Sequence, residues 1–304
     1  MEFLALFGVV LPVFLLIALG FALARARVFR EGDDKPLNDY AYYVAFPCLI
    51  FLSLMSSRLD ASYFGSAIAS VLAMFACAAL ALIISRALHF SRLETGAVVS
   101  SSFLGNVAYM GFPVVTMALG AGALPIAAFV SAAYLLAALS LGVFVLQYHS
   151  GARIDTKAAL IKIILNPLLW GTVLGIIFSL SNLPLPSIAT NILSMIAAST
   201  SPVALFALGV FLSGCCVRIN LSRVLTLSAL KLIIMPVLVF VFARAYGLGG
   251  VPFRVAMLQA GMPLAVTNFV LAEQFGSDKN LIASATLATT LASLLTLSAM
   301  MLMF

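Results

Sequence analysis

The sequence predicts an all-α polytopic membrane protein: ten transmembrane helices, folded as an inverted 5+5 repeat in which helices 4 and 9 are broken. Three observations predict it. Of 304 residues, 64% are hydrophobic and only 9% charged, against about 25% charged in an ordinary soluble domain, and the mean hydropathy is +1.20. The charges cluster between apolar runs long enough to span a bilayer, which takes about 20 residues each. Prolines inside those runs recur at a fixed offset.

The spans read as 2–24, 37–55, 62–88, 94–119 and 124–148, then 158–180, 188–212, 222–246, 251–275 and 279–304. They are long helical runs, unlike the alternating ten-residue segments of an outer-membrane barrel. Nothing is left over for a soluble domain or a linker, so 1–304 forms one polytopic unit, with repeat one over 1–150 and repeat two over 151–304. Glu2 precedes the first span and a basic cluster, Arg25, Arg27, Arg30 and Lys35, follows it. This is the charge order of a first span with its N-terminus outside, not of a cleavable signal.

Connections after the odd-numbered spans, with the adjoining span ends, hold thirteen Lys and Arg, Lys231 among them; the alternate connections hold Arg58, Arg244 and Arg254. Positive charge stays cytoplasmic, which places both termini outside and the protein in a plasma membrane. The net charge of +6 is accounted for by this asymmetry and gives no ground for a nucleic-acid partner. No cofactor is expected. Cys48, Cys77, Cys215 and Cys216 and the histidines His89 and His149 form no metal-ligand spacing, and no nucleophile or nucleotide-loop pattern accompanies them. An intramembrane enzyme needs paired ionisable groups or a metal inside the membrane, and the spans offer neither.

The repeat is read from the prolines. Pro12 and Pro167 are 155 residues apart, as are Pro47 and Pro202. In "GFPVVT" (111–116) and "GMPLAVT" (261–267), Gly111 pairs with Gly261 and Pro113 with Pro263 at an offset of 150. Five spans per repeat make the second copy enter from the opposite side, the plan of many secondary transporters, which bind substrate near the midplane between interrupted helices.

Pro113 lacks an amide hydrogen and its ring clashes with the preceding turn, while Gly111 has access to the left-handed conformation that ends a helix. Gly-x-Pro therefore reads as one half-helix stopping and another starting, and Gly261 with Pro263 repeats it. Exposed backbone at that depth must line protein or a wet cavity, and the second half-helix points its N-terminal amides at the midplane. That makes an anion site, in a chain that reads as having no basic residue deep in a span. Asn106 and Tyr109 are placed on the first half of span 4, Gln259 on the first half of span 9, and Thr267 with Asn268 on its second half; Tyr109 and Phe46 read as packing partners. Thr286, Thr289, Ser293 and Thr296 share one face of span 10, where their hydroxyls are expected to bond their own helix.

"NVAYMGFP", "SPVALFALGVFLSG" (201–214), "AFPCLIFLSL" (45–54) and "GMPLAVTNFVLAEQFG" (261–276) together resemble the auxin efflux carrier family, which includes bacterial carboxylate transporters and plant auxin carriers and is related to bile acid:sodium symporters. The resemblance covers the whole chain. It implies an NhaA-like fold with helices 4 and 9 crossed at the site. A scaffold domain comprises helices 1, 2, 6 and 7 (about 1–60 and 156–214), and a transport domain helices 3–5 and 8–10 (about 61–150 and 220–304).

It further implies elevator-type transport, a homodimer, a bacterial inner membrane with its lipid as surroundings, and small organic anions as substrates, from mono- and dicarboxylates to auxin-like aromatic acids. Site roles transfer to Asn106, Gly111, Pro113, Gly261 and Pro263, and less directly to Thr267 and Asn268. The coupling ion, proton or sodium, stays open beside uniport, with a sodium symporter of larger amphipathic anions as the alternative. Asp39, Asp60, Glu94 and Glu273 all fall near span ends; Glu273, just after the second crossing, is the candidate coupling group. A channel is the remaining alternative from another class.

Overall fold

A computed structural model describes residues 2–30, 32–150, 161, 164–181, 183–215 and 220–304. Arg153, Lys157, Lys162, Cys216 and Arg218, used above in reading charge and cysteines, lie outside the described residues. Among these residues no β-strand occurs, and one isolated antiparallel bridge joins Gly105 to Leu264.

Among the described residues, seven helices are long and apolar enough to cross a membrane: Leu6–Arg25, Asp34–Met55, Ala61–Ala87, Ala121–Ser150, Ser187–Ser213, Leu221–Ala245 and Lys279–Met301. Pro167–Ser181 is a shorter apolar helix within the span expected at 158–180. The spans expected at 94–119 and 251–275 are each two short helices, Arg92–Phe103 with Gly111–Leu119 and Gly250–Ala260 with Thr267–Gln274.

The side chains are distributed as lipid requires. Leu15, Ile83, Trp170, Ile188, Met195 and Leu291 are exposed, while Ser66, Ser101, Thr286, Thr289 and Ser293 are fully buried. Lipid tails give apolar side chains no reason to leave the surface, so helices associate through close packing and small residues instead. Gly20 and Gly209 illustrate this: a Cβ on either would fall 2.2 Å from Phe206 O or 2.0 Å from Ile17 O. Those two glycines let Glu2–Arg25 and Ser187–Ser213 run backbone to backbone. Gly171, whose Cβ would lie 2.8 Å from Pro47 O, does the same for Pro167–Ser181 against Phe46–Met55.

These four helices pack mainly on one another. A second group is built from Ala61–Ala87, Arg92–Phe103, Leu124–Ser150, Leu221–Ala245 and Gly250–Ala260. Between the groups opens a cavity of about 680 Å³, lined by Leu49, Ser53, Arg58, Tyr63, Leu124 and Ala197 among others.

Two helices contain a π-turn, Ala41–Ala45 and Leu230–Ile234, each followed two residues later by proline, Pro47 and Pro236. Proline cannot supply the amide that closes an ordinary turn, and a single wide turn absorbs the mismatch. The second π-turn carries the first correction. Lys231 is not an end-of-span charge, as the charge count takes it to be, but lies within Leu221–Ala245 and is 1% exposed. Without it the count is twelve against three, and the inferred orientation is unaltered.

Candidate functional site

Two non-helical linkers, 104–110 and 261–266, meet inside the protein. Asn106 N–H donates to Pro263 O at 2.8 Å and Ala265 N–H to Leu104 O at 3.1 Å. A buried backbone that leaves the helix must find partners elsewhere, and each linker supplies them to the other.

Side chains complete the closure. Asn268 Nδ2 donates to Leu104 O at 2.8 Å and Ala265 O at 3.1 Å. Thr289 Oγ1 accepts from Leu264 N–H at 3.2 Å, and Tyr134 O–H donates to Phe103 O, the last residue of its helix. Lys231 Nζ donates to Ala260 O at 2.6 Å, capping the helix Gly250–Ala260. Lys231 also explains Gly105, since a Cβ there would lie 2.7 Å from its Cε and 3.0 Å from its Nζ.

Among the described residues one buried side-chain amide nitrogen is left without a partner. Asn106 is 4% exposed and its Nδ2 has no hydrogen-bond partner. A buried amide with unused N–H groups is costly. Gln259, 4% exposed, donates through Nε2 to Ala127 O at 2.9 Å and Ser131 Oγ at 2.7 Å, fastening Gly250–Ala260 to Leu124–Ser150. Its Oε1 is likewise unpartnered. It lines a cavity of about 10 Å³ shared with Ser70, Val107 and Tyr134, room for one water at most.

The structure brings Asn106, Gly261, Pro263 and Asn268 to one place and leaves other expected site residues outside it. Tyr109 packs on Phe46, ring centroids 4.9 Å apart, as a packing partner should. Thr267 is exposed. Glu273 pairs with Lys279 at 2.7 Å on the surface, 57% exposed. Among the other acids considered for coupling, Asp60 caps Ala61–Ala87 through Ser62 N–H, and Glu94 forms a capping box with Ser91 and an ion pair with Arg223 at 2.7 Å.

Three local expectations are corrected. The chain leaves the helix at Phe103, well before Gly111, because Leu104 is extended and Tyr134 and Asn268 take up the freed carbonyls. Asn106 and Tyr109 are therefore linker residues rather than part of a half-helix, while Gly111 and Pro113 open the next helix. Neither glycine is left-handed: Gly111 is absent from the positive-φ residues and Gly261 has φ −77°. Finally, the amides at the start of the second helices are largely spent on nearby carbonyls. Gly111 N–H donates to Asn106 O, Phe112 N–H to Ala108 O and Asn268 N–H to Ala265 O. The side-chain amide nitrogen of Asn106, by contrast, has no partner.

In the Lys279–Met301 helix, Thr286, Thr289 and Ser293 bond carbonyls of their own helix, at 2.8, 2.7 and 2.7 Å to Ile282, Ala285 and Thr290 O, whereas the buried Thr296 hydroxyl, expected to do the same, has no partner. The extra duty of Thr289 in holding Leu264 was not legible from spacing. Lys231 is the chief residue that sequence reading missed. Its signal was present, a lone charge between apolar residues in "LKLIIMPVLVF", but the same lysine also served as an end-of-span charge.

Apolar helices, an inverted exposure pattern and two non-helical linkers joined in the interior define a polytopic helical membrane protein. The chain matches, over residues 5–301, the family described as membrane transport protein, and it belongs to that family. A relative from Methanothermobacter thermautotrophicus named "Uncharacterized transporter" is 29% identical, with 95% of each chain covered. A Rhizobium meliloti protein named "Putative malonate transporter" is 26% identical over 97% of this chain and 94% of its own. "Auxin efflux carrier component 1" of Arabidopsis thaliana is 27% identical over 41% of this chain and 21% of its own.

Proposed function

We propose that this protein is a secondary transporter of small organic anions, mono- or dicarboxylates, which binds its substrate where the two linkers meet and carries it by an elevator-type alternation. The observation that carries the reading is the unpartnered, buried Asn106 amide beside paired linker backbones. A carboxylate oxygen accepts from such a donor more strongly than a neutral group does. The names of two relatives, which mention malonate and auxin, support a carboxylate panel as the first choice.

The elevator reading rests on the two packing groups and the cavity between them. Glu2–Arg25, Asp34–Met55, Pro167–Ser181 and Ser187–Ser213 form the scaffold; the remaining helices carry both linkers and move as the transport domain. The ring contacts of Phe46 with Tyr109 and Phe112, at 4.9 and 5.9 Å, lie at this boundary and are apolar. An apolar contact can slide without stranding a polar partner. The inverted repeat, with spans 4 and 9 broken and crossed, both termini outside a bacterial inner membrane, and a dimer through the scaffold complete the proposal.

The test is counterflow of labelled malonate and other carboxylates into liposomes holding the purified protein. Saturable uptake that Asn106→Ala impairs without loss of folded protein is expected. Absence of binding and uptake across a broad mono- and dicarboxylate panel would sink the reading, and non-saturable flux would replace the carrier by a channel.

A further inference from the structure

We infer that Lys231 is the fixed positive charge of the anion site, standing where a coupling metal cation would otherwise bind. The inference rests on the proposed anion transport and adds to it the origin of the charge.

Lys231 reaches the linkers because of the π-turn that contains it, an element often retained at functional sites. Its Nζ donates to Ala260 O at 2.6 Å, and a Cβ on Gly105 would approach that nitrogen to 3.0 Å. The ammonium thus lies against Gly105, the residue before Asn106, whose buried side-chain amide nitrogen has no partner.

The charge is poorly compensated within the protein. An ammonium has three donors and its burial is costly unless paired. Among the described residues no Asp or Glu is buried. The titratable neighbours are Cys77, whose thiol lies 3.6 Å from Ser102 O and 3.9 Å from Leu230 O, and Tyr134, whose hydroxyl is donated to Phe103 O. The negative end of the Gly250–Ala260 helix contributes a partial charge only. A carboxylate hydrogen-bonded to Asn106 supplies the missing counter-charge.

The same geometry already occupies several of the carbonyls that a metal cation would use. Where transporters of this general type bind sodium, unwound backbone carbonyls coordinate it. Here Ala260 O is taken by Lys231, Leu104 O by Ala265 N–H and Asn268, Pro263 O by Asn106 N–H, Ala265 O by Asn268 and Phe103 O by Tyr134. Among the described residues no cluster of His, Cys, Asp or Glu could hold a metal ion.

The experiment measures malonate uptake and ligand-induced thermal shift for the full-length protein in liposomes and detergent, in sodium and in choline media. Wild-type uptake is expected to be equal in the two media. Lys231→Met, close in shape and uncharged, is expected to weaken malonate binding by at least about tenfold, and its loss for malonate to exceed the loss for monomethyl malonate, since a fixed charge acts in proportion to ligand charge.

Malonate binding by Lys231→Met within about twofold of wild type overturns the inference, as does an equal loss for the two ligands or sodium-dependent wild-type uptake. If Lys231→Met does not fold, Lys231→Ala is assayed with and without propylammonium: recovered malonate binding supports the inference and no recovery overturns it. A wild-type protein that neither binds nor moves any carboxylate removes the functional reading itself and the inference with it. Wild-type transport combined with an indifferent Lys231→Met removes only the inference.

Discussion

The linkers 104–110 and 261–266 occur beside the same Gly-x-Pro spacing, which is used differently at each. In the first, Gly111 and Pro113 begin the following helix, and the linker lies before them. In the second, Gly261 follows the end of the preceding helix, and Pro263 lies within the linker with its carbonyl accepting from Asn106. The second linker is held by Thr289 and by Asn268 just beyond it, whereas the first keeps a buried amide unspent at Asn106. In the proposed transporter one linker is the support and the other presents the ligand group.

This difference sets the order of expected effects. Asn106→Ala removes the free donor and should weaken carboxylate binding about 10- to 100-fold, the worth of roughly 1.5–3 kcal/mol for a hydrogen bond to a charged acceptor. The unliganded melting temperature should hardly fall, because no protein partner is lost; binding titrations and melting curves check both.

Asn268→Ala should do the reverse. It removes two hydrogen bonds that hold the linkers together and is expected to cost about 2 kcal/mol of stability, seen as a lower melting temperature. Ligand affinity should drop less than in Asn106→Ala; an equal or larger drop would erase the distinction between support and ligand group.

Thr289→Val leaves the buried Leu264 N–H without its side-chain acceptor, an expected loss of about 1 kcal/mol that amide exchange at Leu264 would localise. Glu273→Gln, which breaks a solvent-exposed pair with Lys279, should change stability by under about 1 kcal/mol and leave carboxylate uptake as it was. Reduced uptake would return Glu273 to the coupling role that its position after the second linker first suggested.

Much of the architecture was legible in the chain because a bilayer constrains sequence strongly. Apolar length marked most of the described helices to within a few residues, although Pro167–Ser181 begins nine residues inside the span expected at 158–180. The spacing of Gly111, Pro113, Gly261 and Pro263 located two departures from regular helix. It did not locate their edges, since proline and glycine mark where a helix is weakened while the actual end falls where other groups accept its free carbonyls. Tyr134 and Asn268 do this for the first linker, from 31 and 164 residues away.

Sequence alone determined the membrane class, the helical runs, the two weak points and Asn106 as a polar residue near one of them, because hydropathy and backbone chemistry are local properties. Only the tertiary structure decided which polar groups are satisfied. It paired the backbones of the two linkers, spent the helix-start amides, took Glu273 to the surface and brought Lys231 through a π-turn to the buried end of Gly250–Ala260. Hydrogen-bond satisfaction and charge burial depend on neighbours distant in the chain, so neither is written in the periodicity that gives the helices.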